Sequence, residues 1–130
     1  MASLQYEKAI VDYTITTGDT FYAKGIVTQR EGEELYAVDL TNCQVTGKAR
    51  LAFNVDGDSF ALPLVVHEDQ VNNTGVVMLY FSPIQSAQYR PDSRPKKFIY
   101  DMQVIDAEGN VYTFQKGTIT FENDIDYLNS

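Results

Sequence analysis

Apolar residues in this chain recur mostly at every second position, the spacing of a strand with one buried face rather than of a helix. Val45, Gly47, Ala49, Leu51 and Phe53 fall on one side, and Gln44, Thr46, Lys48, Arg50 and Asn54 on the other, with Ala52 the apolar exception. After the turn signal Asp56-Gly57-Asp58 the alternation resumes at Phe60, Leu62, Leu64 and Val66, which predicts a hairpin. Pro63 has no N–H to give to a ladder, so the second strand is expected at a sheet edge or on a bulge. Phe98, Tyr100, Met102 and Val104 mark another strand with one inward face. Ala107-Glu108-Gly109-Asn110 turns it, 111–114 returns, and Gly117 is expected to break the line before Ile119 and Phe121.

Further strands are predicted over 9–16, 20–29, 35–40 and Val76–Phe81. The last reads VVMLYF without a polar residue, the pattern of a strand buried on both faces. One helical signal interrupts the strands: Ser82 as cap, Pro83 at the first helical position and Gln85 at capping-box spacing. Pro91 and Pro95 confine it to a single turn. About seven or eight short strands with turn signals between them predict an all-β antiparallel sandwich with one short helical turn. Nothing divides the 130 residues, so a single domain is expected over 1–130, with the ends 1–8 and 124–130 left over as arms.

Composition narrows the function classes. Ten basic against eighteen acidic residues give a net charge of −8, which repels phosphate backbones and argues against nucleic acid as a partner. The one basic cluster, Arg90, Arg94, Lys96 and Lys97, lies among prolines and reads as a solvated loop. No apolar run has the length of a membrane span, and the start MASLQYEKAI lacks the charged and apolar regions of a signal peptide. A protein made in a reducing cytoplasm is therefore expected, with the lone Cys43 as a small structural residue.

Candidate chemistry is thin. Asn54, Asp56 and Asp58 alternate as in a calcium loop, but Ser59 and Val65 stand where that loop needs Gly and a bidentate Glu. His67, Glu68 and Asp69 lack further metal ligands, and a Cys43–His67 nucleophile pair has no orienting partner nearby. Asp101 and Asp106 are five apart on one strand, so they face opposite ways and cannot share a proton. Asn72-Asn73-Thr74 matches a glycosylation sequon and is read as a loop. No catalytic, cofactor or metal residue is assigned.

Tyr100-Asp101-Met102-Gln103-Val104, the turn and strand from Asp106 to Thr113, Gly117-Thr118-Ile119-Thr120 and Asp124-Ile125 together resemble the immunoglobulin-like β-sandwich module of tailed-phage structural proteins, as in the N-terminal domain of the upper baseplate protein family. Gly18-Asp19-Thr20-Phe21 and Val38-Asp39-Leu40-Thr41 are similar to its earlier strands. The resemblance implies a non-enzymatic virion component without cofactors that docks on capsid, neck, tail or baseplate proteins, with a homo-oligomer open. In that family the sandwich commonly continues into a receptor-binding part. As this sequence stops at Ser130, a capsid decoration or head accessory protein, or a tail or baseplate adaptor, is the expectation. Leu4 and Tyr6 at one end, and Ile125, Tyr127 and Leu128 at the other, are the partner-binding candidates, as apolar residues outside the compact pattern. The alternative is a carbohydrate-binding or adhesion module in which Tyr22, Tyr36 and Tyr89 stack on sugars.

Overall fold

The computed structural model describes residues 5–52, 59–92 and 94–123. Its larger sheet is built around β11 (Lys96–Ile105) and β12 (Val111–Glu122), which pair antiparallel through the turn at Ala107–Asn110. β7 (Gln44–Leu51) lies on the other side of β11, and β8 (Ser59–Ala61) lies at the edge beyond β7. At the opposite edge β2 (Ala9–Ile10) and β3 (Tyr13–Thr16) run parallel to β12. The smaller sheet has the order β4 (Phe21–Ile26), β10 (Val76–Phe81), β9 (Leu64–Val66). A third, small sheet extends β4 past Val27: β5 (Thr28–Glu31) lies between β1 (Gln5–Tyr6) and β6 (Glu34–Ala37).

This is the immunoglobulin arrangement. One sheet has the first strand switched to lie beside the last, then the two central strands and an extra edge strand, and the other has second, fifth and fourth strands abreast. The inward residues of both sheets make one core: Ile15, Ala49, Phe98, Tyr100, Met102, Val104, Ile119 and Phe121 from the larger, Val77, Leu79 and Phe81 from the smaller. The inward alternation of Phe98, Tyr100, Met102 and Val104 is as the sequence predicts.

Several predicted elements are divided, and each division has a cause. The strand over 9–16 breaks at Val11-Asp12, where the Asp12 carboxylate rather than a backbone carbonyl accepts the Thr118 N–H at 3.0 Å. The strand over 20–29 continues through buried Val27 into β5, and the strand over 35–40 ends at Ala37. The hairpin forms between β7 and β8, but Pro63 is a crossing point. Before it the chain pairs with β7 in the larger sheet, and after it with β10 in the smaller, so both flanking strands are sheet edges.

Gly117 does not break its strand. β12 is continuous, and a Cβ at Gly117 would lie 2.0 Å from the Val11 carbonyl oxygen, so the residue is glycine because the first strand crosses over it. The irregularity is instead a bulge opposite Met102 and Gln103, which turns both Phe114 and Gln115 inward. Lys96 and Lys97 belong to β11 and not to a loop. The helical turn Pro83–Ala87 forms with both hydrogen bonds of its capping box, and no helix among the described residues is long and apolar enough to cross a membrane.

Candidate functional site

Residues with chemical potential are occupied in structural roles. The Asp106 carboxylate accepts the backbone N–H groups of Glu108 and Asn110, each at 2.9 Å, and these bonds hold it below the usual carboxylate range while closing the turn. Asp39 is lowered in the same way by Thr41. His67 Nδ1 accepts the Asp69 N–H at 3.0 Å, while burial pushes the Cys43 thiol up, away from the reactive thiolate. Gln70, buried behind them, accepts the N–H groups of Leu40 and Gly75 on one oxygen and so ties two loops together. Among the described residues no three His, Cys, Asp or Glu side chains are grouped to hold a metal. The calcium-like residues Asn54, Asp56 and Asp58 lie outside the described residues.

Of the partner-binding candidates, Leu4, Ile125, Tyr127 and Leu128 lie outside the described residues. Tyr6 is in β1, opposite Gln29, with its ring stacked on Tyr112 at 4.2 Å and 17°. The neighbouring Glu7 pairs with Arg30, so this end is fastened to the domain's own third sheet.

The three tyrosines of the carbohydrate alternative separate. Tyr89 is not an exposed ring: it is partly buried and packs against the aromatic core, with Phe60 at 4.3 Å and Phe121 at 4.9 Å. Tyr36 is exposed on β6 with its hydroxyl donated to Glu34. Tyr22 is 55% exposed on the outer face of the smaller sheet, with Tyr80, 42% exposed, directly opposite it on β10.

That outer face is the feature the alternation argument missed. Val76–Phe81 is covered on both sides only at its start: Val77, Leu79 and Phe81 enter the core and the outward Val76 is buried as well, while Tyr80 looks out and Met78 is only half-buried. Around them stand Ile26, 53% exposed, on β4 and Val65, 54% exposed, on β9. Rows across the sheet read Tyr22–Tyr80, Lys24–Met78–Val65 and Ile26–Val76. Lys24 is the one charge in those rows. A contiguous apolar patch of this kind on a folded domain marks an interaction surface. The signal was present in the unbroken apolar run of β10, since a strand apolar on both sides needs two covers.

The larger sheet presents the opposite character. Lys48, Arg50, Ser59, Ile99 and Asp101 line a shallow concavity of about 360 Å³ on its outer face. Its wall carries charges of both signs on strands of the larger sheet.

No family model matches the chain, and no curated protein matches it. Among solved structures it is similar to a family 123 glycoside hydrolase from Clostridium perfringens, with 14% identity over 89% of this chain and a TM-score of 0.40. This chain spans 23% of that protein's length, and a likeness of that size carries no functional argument. The fold itself defines the class: an all-β, immunoglobulin-like sandwich.

Proposed function

We propose that this chain is a non-enzymatic docking module of a larger assembly, and that it acts through the outer face of β4, β10 and β9. The observation that carries the proposal is the apolar patch of Tyr22, Ile26, Val65, Met78 and Tyr80 in a protein whose net charge is −8. Such a patch is stabilised by burial against a partner, at about 25 cal/mol for each Å² removed from water. The resemblance of the 98–125 region to tailed-phage structural modules supplies the assembly: a virion, on which the domain sits as a capsid decoration or head accessory protein or as a tail or baseplate adaptor. The domain is made in the host cytoplasm, and repetition on a symmetric particle lets modest contacts add through avidity.

The test is particle binding. The purified domain, labelled with gold, is expected to decorate virions lacking it, and Met78→Glu, which puts a charge in the middle of the patch, is expected to abolish decoration while the domain stays folded. Decoration unchanged by Met78→Glu overturns the docking face. Absence from particles overturns the virion. Deleting residues 124–130, which include Ile125, Tyr127 and Leu128, separates their share from that of the sheet. The carbohydrate reading keeps one observation, the exposed Tyr22–Tyr80 pair, and a glycan array with the isolated domain decides it.

A further inference from the structure

Among the described residues the smaller sheet has an unfilled lane. β4 pairs with β10 on one side only, and no described strand lies on its other side. The same lane is filled a few residues further on, where Gln5 and Tyr6 pair with Arg30 and Gln29 and the Glu7 N–H reaches the Thr28 carbonyl at 2.9 Å. There the chain leaves the lane, crosses to the other sheet and pairs Ala9 with Gln115. What remains open is the edge alongside Phe21–Ile26.

The direction of the open backbone groups follows from the ladder. The Val27 N–H bonds to the Gly75 carbonyl at 2.8 Å, so Val27 faces β10. Antiparallel pairing alternates, so Gly25, Ala23 and Phe21 also face β10, while Ile26, Lys24 and Tyr22 turn their N–H and C=O groups to the empty side. On the β9 side the count agrees: Tyr80 N–H bonds to the Pro63 carbonyl and Val76 C=O accepts from His67. The same three residues, Tyr22, Lys24 and Ile26, carry the outward side chains.

We infer that this edge is an acceptor for an extended segment of a partner protein, which adds a strand beside β4 and continues the lane that β1 begins. The proposal deepens the docking reading by naming the partner's form. Its chemistry is set by the side chains that flank the lane. Lys24 is the single charge between two exposed apolar residues, in a chain that is otherwise strongly acidic. The partner segment therefore carries a carboxylate opposite Lys24, with apolar residues two positions before and after it to meet Tyr22 and Ile26. A lysine at the centre of an edge strand also serves to repel stray strands, and the two roles give different results.

The test uses the full chain and a synthetic capped heptapeptide, Thr-Val-Ile-Glu-Ile-Val-Thr, whose pattern reads alike in both directions. The amides of Tyr22, Lys24 and Ile26 are expected to exchange fast with solvent in the free protein and to become protected on adding the peptide. Lys24→Glu should weaken binding about tenfold and should favour the peptide with Lys in place of Glu by a similar factor. Lys24→Glu changes an outward, exposed side chain, and Lys24→Gln is the milder variant if it folds poorly. No binding, or binding that leaves these three amides unprotected, overturns the acceptor edge. So does a preference that ignores charge. Self-association on Lys24→Val without peptide binding assigns Lys24 the protective role alone. A wild-type chain already dimeric with those amides protected assigns the lane to a second copy. Failure of the peptide with particle decoration intact removes the lane and leaves the docking face standing.

Discussion

The two sheets share one core between them, yet their outer faces are opposites. Across β7, β11 and β12 the outward row is Lys48, Asp101, Lys116, and beside it Thr46 is next to Gln103. Across β4, β10 and β9 the equivalent rows are Tyr22 with Tyr80, and Lys24, Met78 and Val65. The larger sheet is apolar inside and polar outside, which suits a sheet with water on one side. The smaller sheet has the composition of an inner layer, but among the described residues much of its outer face is exposed. Stability and contact are thus divided: the larger sheet holds the fold together, and the smaller carries the surface for which docking is proposed.

The sharpest way to break that division is at Gly117. Replacing it with Ala drives a Cβ into backbone atoms of Val11, at 2.0 Å from its oxygen and 2.8 Å from its carbon, and backbone cannot swing aside as a side chain can. Gly117→Ala is expected to cost roughly 2–3 kcal/mol in urea unfolding, the scale of overpacking at a tight contact. An unchanged midpoint means that the crossing of the first strand is loose and that the larger sheet is not the anchor.

A smaller loss is expected at Tyr100, directly opposite Gly117 in the ladder. Its hydroxyl donates to the Val11 carbonyl at 2.6 Å and accepts from Gln115 Nε2 at 3.0 Å, and that amide nitrogen also donates to Tyr13 at 2.8 Å. Tyr100→Phe leaves these buried partners short of a bond and should cost about 1–2 kcal/mol. Burial pushes the Tyr100 phenol up to about 12, above the ordinary value of about 10. A raised value means the folded state holds the proton longer, so this contribution is fully present below pH ~10 and is lost as pH rises towards about 12. Unfolding midpoints measured across that window should fall more steeply for wild type than for Tyr100→Phe. Equal slopes remove Tyr100 from the alkaline transition.

What could be seen in the sequence follows the same division. Strict alternation made the inward faces of β7 and β11 legible, though not the ends of the strands, because one covered face and one wet face leave a period of two. The capping box of the short helix was legible because Ser82 and Gln85 satisfy each other locally. Gly117 was read as a break because a glycine demanded by a strand passing overhead looks the same in sequence as one that ends a strand. Tyr89 was offered to solvent because nothing adjacent in sequence shows that Phe60 and Phe121, distant along the chain, pack against its ring. The open edge of β4 could not be read at all. An edge is a lane that no other segment fills, and that depends on where Lys8–Ala9 crosses between sheets.

On the smaller sheet the expected stability effects shrink while the docking effects grow. Tyr80→Ser trims a side chain that is 42% exposed, and should cost under about 1 kcal/mol in unfolding. The same substitution should weaken particle binding at least severalfold, as aromatic residues dominate interface energies. A large stability loss with binding retained would make the patch an outlying part of the core.

The smallest effect is expected at Asp101, between Lys48 and Lys116 on the outer face of the larger sheet. All three are exposed, and Coulomb attraction there is weakened by water and by salt. Asp101→Asn should change stability by only about 0.2–0.5 kcal/mol at low ionic strength, and the difference should vanish near 1 M salt, where the screening length is about 3 Å. Asp101→Lys places three cations abreast and should cost about 0.5–1 kcal/mol, again relieved by salt. The apolar patch of the smaller sheet should respond the other way, since excluded salts such as sulfate strengthen apolar burial. If Asp101→Asn instead costs more than about 1 kcal/mol at every ionic strength, the polar face is holding something in place. The contrast between a face that is finished in water and one that is not would then fail on the side where it looks safest.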